Sequence, residues 1–160
     1  MKHFMIFTAL LFCFFSGNSQ NIPFKHFTPC TFSIDLPVVM KLKEMHTDPS
    51  PDFCDYKVKL NDGYTIMELH SSINSRFEYN TIQDFYAAAL NSSTLNITYK
   101  MKTKNFFVIS GFNKKNGNIV YWKRALGENF VSDMHIEYNK SRKAYIEPFI
   151  GKISKSFVSE

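Results

Sequence analysis

Glycine and proline are scarce in this chain, with six of each in 160 residues, and there are three cysteines and a single tryptophan. So little glycine and proline excludes collagen-like, linker-like and low-complexity composition. No apolar run reaches the roughly 20 residues a spanning helix needs. No internal repeat or paired His-Glu-x-x-His spacing occurs. What the chain has instead is rings: 17 Phe and 8 Tyr, so its core is expected to be built from large aromatic side chains.

The start, "MKHFMIFTALLFCFFSGNSQ", places Lys2 before an apolar run from Phe4 to Phe15 and a small, polar exit. With Gly17 and Ser19 at the −3 and −1 positions, residues 1–19 read as a secretory signal peptide cleaved before Gln20. Leu10-Leu11-Phe12-Cys13 has the outline of a lipoprotein site, but such sites want a small residue where Phe12 stands. The chain is therefore expected to be secreted or periplasmic, with residues 20–160 forming a single domain of ordinary size. The formal charge is +5, and loss of Lys2 leaves a mildly basic mature form. That suits weak attraction to anionic surfaces, while nucleic acid is a poor target for an exported chain. Cys13 leaves with the leader, so Cys30 and Cys54 remain. An even pair in an exported protein suggests a disulfide, and two unpaired buried thiols is the other reading.

Residues 21–30 read as an arm or short irregular lead-in, interrupted by Pro23 and Pro29. "TFSIDLP" alternates apolar and polar residues and predicts a half-buried strand, with "VVMKLKEMH" as a second short one. "TDPSPD" is a loop, and "CDYKVKL-NDG-YTIMELHSS" carries a hairpin pattern around Asn61-Asp62-Gly63. The period then changes. Ile82, Phe85, Tyr86, Ala89 and Leu90 lie on one helical face, opened by a Thr81/Asp84 capping pair. Four strands follow in "NITYKMKT", "NFFVISGF", "NIVYWKRAL" and "FVSDMHIEY", the middle two joined as a hairpin. Ile146, Phe149, Ile150, Ile153 and Phe157 return to helical spacing, in a helix expected to start near Pro148 because proline is tolerated only in a first turn. Hairpin-length connections imply an α+β fold with an antiparallel sheet of about six strands and helices packed on it.

"FSIDLP", "FFVISGFNKKNGNIVYWKRAL" and "HIEYNKSRKAYIEPFIGKISKSF" together resemble the opening strand, central hairpin and closing strand-helix of the PsbP-like family, which includes the bacterial DcrB-type proteins. The resemblance spans roughly residues 30–158. It implies an α/β/α sandwich and an accessory or binding role. It implies no shared active site, so no functional residue carries over from it.

Three constellations could carry chemistry. Ser110-Gly111 is not a nucleophile elbow, because Val108 stands where that motif needs glycine and no helix follows. Asp133, His135 and Glu137 alternate, as do Glu68 and His70, so each set shares one face of its strand. If the strands were neighbours, these five residues could hold zinc for a small metal-dependent hydrolase, and a solvated polar face gives the same alternation. His46, Asp48, Asp52 and Asp55 lack the spacing and glycine of a calcium loop. Lastly, Lys100, Lys102, Lys104, Lys114, Lys115, Lys123 and Arg124 interleave with Phe106, Phe107, Tyr121 and Trp122. Lys114, Lys115, Trp122, Lys123 and Arg124 are the candidate contact surface for a protein or anionic envelope component, although lysine also guards sheet edges. The leading expectation is an exported binding or accessory module, monomeric or weakly dimeric, that works without catalysis or cofactor.

Overall fold

The computed structural model describes residues 22–45, 52–60, 64–76, 81–92 and 94–160. The expected leader with Cys13, the expected hairpin turn at Asn61-Asp62-Gly63, His46 and Asp48 lie outside the described residues. Alternating segments pair into a seven-stranded sheet in the order β3-β4-β5-β9-β8-β7-β6, antiparallel at every pairing. Its strands are β3 (Lys41–Glu44), β4 (Phe53–Lys59), β5 (Thr65–Ile73), β6 (Leu95–Lys102), β7 (Phe106–Asn113), β8 (Ile119–Leu126) and β9 (Phe130–Tyr138). A small sheet orders β1 (Phe24–Phe27), β2 (Phe32–Pro37) and β10 (Val158–Ser159) as β1-β2-β10.

The period of two divides the main sheet into two faces. One carries Val58, Met67, Leu69, Met134, Ile136 and Tyr138, and packs against β2 and helix α2 (Lys143–Ser156). The other carries Phe107, Ile109, Trp122 and Val131, and is covered on the β6–β8 side by helix α1 (Ile82–Ser92) through Ile82, Phe85 and Ala89. The result is an α/β/α sandwich of mostly antiparallel sheet. The core is ring-rich as composition implies: Phe32 contacts both Tyr56 and Phe157, with centroids 6.0 and 5.5 Å apart.

Two boundaries differ from expectation. The lead-in holds a strand, because Phe24 and Phe27 turn inward while the backbone of residues 24–27 pairs with β2. Pro23 and Pro29 fall just outside that pairing. Helix α2 begins at Lys143, five residues ahead of Pro148. Its first turn is anchored by buried Ile146, and the exposed Pro148 forfeits only a hydrogen bond to the carbonyl of exposed Ala144, which water can satisfy. The Thr81 cap forms as the sequence implies, its hydroxyl accepting from the Asp84 N–H at 3.2 Å.

Candidate functional site

The β7–β8 hairpin holds the candidate contact residues, and its alternation sends them in different directions. Lys114 and Lys115 are exposed at the tip, where Gly117 takes the left-handed conformation (φ 72°) that closes the turn. Asn113, Asn116 and Asn118 of that tip donate to the Glu137 carboxylate at 3.4, 2.7 and 2.8 Å. Burial pushes the Glu137 carboxyl up, but the three amide donors outweigh it and hold the group below the usual carboxylate range. Glu137 is thus a fixed anion that organises the hairpin tip.

Trp122 and Arg124 face the α1 side. Trp122 packs edge-on against Phe107, with centroids 5.3 Å apart, and its indole N–H donates to Asp133 at 2.7 Å. Arg124 grips the same Asp133 with two parallel hydrogen bonds of 2.8 and 2.7 Å and lies 4.9 Å from the Phe85 ring centre. Lys123 points the opposite way. Only 5% exposed, its ammonium donates to the carbonyls of Ser154 and Phe157 at 2.6 and 2.8 Å, near the C-terminal end of α2. It also sits 4.6 Å over the Phe106 ring. Desolvation pulls its pKa down to about 8. The five residues therefore occupy three places: the hairpin tip, the α1 face and the α2 face.

The α2 face offers a cleft that the sequence pattern did not single out. Its volume is about 700 Å³, and it opens at the hairpin end opposite Lys114 and Lys115. Phe106, Ala125, Leu126, Phe157 and Val158 supply apolar walls. Lys104, Lys123 and Lys155 supply three cations against one carboxylate, Glu128. An ammonium has three donors, and Lys123 spends two on main-chain carbonyls, leaving one for a group in the cleft that it lines. An anion there would meet a cation already oriented and largely stripped of water, where attraction is stronger than at the open surface. Lys104, Lys123 and Lys155 come from three separate elements, so no local pattern unites them.

The His/carboxylate set does come to one face. Strands β5 and β9 are neighbours, with Glu68 opposite His135 and His70 opposite Asp133. Each carboxylate is engaged elsewhere: Asp133 by Arg124 and Trp122, Glu137 by the three asparagines, and Glu68 by Lys57 at 3.5 Å. His70 bonds Asp55, its partner directly across the β4–β5 pairing. Burial lowers the His135 pKa, against the upward pull of Glu137, Glu68 and Asp133. Among the described residues no group of three or more His, Cys, Asp and Glu side chains is arranged to hold a metal ion. Sharing a face has not made these residues a ligand set, and the zinc-hydrolase reading gains no support. Ser110 is likewise committed, its hydroxyl donating to the Val120 carbonyl at 2.7 Å within the hairpin.

No protein-family model and no curated protein matches the chain. Among solved structures, the cyanobacterial PsbP (CyanoP) of Synechocystis sp. PCC 6803, a solution structure, superposes with a TM-score of 0.58 at 9% sequence identity. The match covers 90% of this chain and 96% of that one. The fold is PsbP-like. Within the PsbP-like sandwich the cleft lies at the end of the central hairpin, beside the last turn of α2. Among the described residues no helix is long and apolar enough to cross a membrane.

Proposed function

We propose that this chain is an exported, non-catalytic binding or accessory module that holds an acidic, partly apolar segment of an envelope or secreted protein in the Lys123 cleft. The observation that carries the reading is a buried lysine fixed by two main-chain carbonyls in a cleft with apolar walls, flanked by Lys104 and Lys155. That combination suits a carboxylate attached to an apolar body. Export rests on the leader-like residues 1–19, and the accessory role agrees with what the family resemblance implies. The engagement of Asp133, Glu137 and His70 in structural contacts supports a role without catalysis.

Capture from envelope and secreted extract of the host, read by mass spectrometry, tests this with three baits: the wild-type protein, Lys104→Glu/Lys155→Glu and Lys114→Glu/Lys115→Glu. A protein partner lost at least tenfold from the cleft variant and kept by the tip variant is expected. Loss from the tip variant alone would move the site to the far end of the hairpin. Recovery of glycan or lipid in place of protein would refute the assigned partner class.

A further inference from the structure

Cys30 occupies the turn between β1 and β2, and Cys54 is the second residue of β4, 6% exposed in the main core. The turn is seated on that rung of the sheet. Thr31 hydrogen-bonds Ser71, the residue directly across from Cys54 in the β4–β5 pair. One residue further on, the Phe32 ring meets Tyr56 edge-on. The Thr31 hydroxyl also lies 3.8 Å from the Cys30 sulfur, so one residue joins the cysteine of the turn to the rung that carries Cys54. Both cysteines are free thiols in this structure.

We infer that Cys30 and Cys54 form a reversible disulfide that fastens the β1–β2 turn of the small sheet to β4 of the main sheet. The site is independent of the lysine cleft. Cys30 is exposed and Cys54 buried, which sets the order of events. The Cys30 sulfur attacks a small-molecule disulfide, forming a mixed disulfide and releasing one thiol. The Cys54 sulfur then attacks the Cys30 sulfur, closing the internal bond and releasing the second thiol. Two electrons pass to the small disulfide, and the two protons lost by the cysteines end on the thiols it yields. Burial and the neighbouring Cys30 push the Cys54 thiol up to about 12, which leaves the first attack to the exposed Cys30. Cys30 has a positive φ of 58°, a conformation that glycine adopts without steric cost. A cross-linking role accounts for a cysteine at such a position.

The test uses the protein recovered from an exporting host, treated with oxidised glutathione, digested without reduction and mapped by mass spectrometry. A peptide pair joined through Cys30 and Cys54 is expected. Closing a loop of this length should raise the melting temperature by about 6–12 °C over the dithiothreitol-reduced protein. Two alkylatable thiols after the glutathione treatment, or Cys30 joined only to glutathione, would overturn the inference. Cys30→Gly supplies a second arm that suits the backbone. It should be at least as stable as wild type under reducing conditions and less stable under oxidising ones. Equal ranking in both conditions would also overturn it.

Discussion

Lys123 shows what one position does at the residue scale. Its neighbours in sequence suggest a basic surface stripe, yet alternation turns it inward, where two carbonyls and the Phe106 ring receive it. The folded protein binds this proton less tightly than the unfolded chain, since the pKa falls from 10.5 to about 8. Between those values the unfolded chain carries a proton that the folded one has released, so stability rises with pH across the window. The gain is about 3 kcal/mol at most. Cys54 and Tyr138, both pushed up to about 12 by burial, act in the opposite sense, so the lysine is read as the difference from Lys123→Met, which shares both groups. Urea midpoints from pH 8 to 9.5 should climb in the wild-type protein relative to Lys123→Met. Parallel curves for the two proteins would show that the lysine is not desolvated.

At the scale of elements, the β6–β7 pairing depends on an absent side chain. A Cβ added at Gly111 would lie 2.2 Å from the Asn96 carbonyl oxygen, beside the irregularity between Ile97 and Tyr99. Gly111→Ala must push β6 off the sheet. A loss on the order of 2–3 kcal/mol is expected in chemical denaturation, and a change under 0.5 kcal/mol would show that β6 yields freely. Much of this level was legible in the sequence. Alternation in residues 31–37 and 130–138, the 3.6-residue period of residues 82–90 and the hairpin of residues 106–126 are local signals, and the structure follows them. The β1 strand was not legible because its partner, β2, supplies the reason for it to be extended. The early start of α2 was hidden by Pro148, whose cost is small only because the affected turn faces solvent. The cleft was illegible for a related reason: its three lysines are brought together by β8, the β6–β7 turn and the end of α2.

Across the whole molecule, the layers are tied by buried hydroxyls as well as by rings. Thr31, Ser71, Ser132 and Ser159 form a continuous hydrogen-bonded chain from the small sheet through β5 and β9 to the C-terminal strand, with links of 2.9 and 2.8 Å on either side of Ser132. Ser132 is fully buried, so Ser132→Ala strips partners from Ser71 and Ser159 at once. A destabilisation of about 1–3 kcal/mol should follow, read from the denaturant midpoint. Ser132→Thr restores the hydroxyl and should recover part of it. No change in Ser132→Ala would mean that the chain of hydroxyls contributes nothing to joining the sheets.

Binding of a carboxylate on an apolar body in the Lys123 cleft, as proposed, can be followed residue by residue in a titration of the isotope-labelled protein read by amide NMR. The probe is phenylacetate, with phenylacetamide as its uncharged counterpart. Saturable shifts should cluster on residues 103–106, 127–128 and 155–159, weaken with the amide and disappear in Lys123→Met. Shifts centred on Lys114 and Lys115, or equal responses to acid and amide, would rule out a carboxylate seat at Lys123.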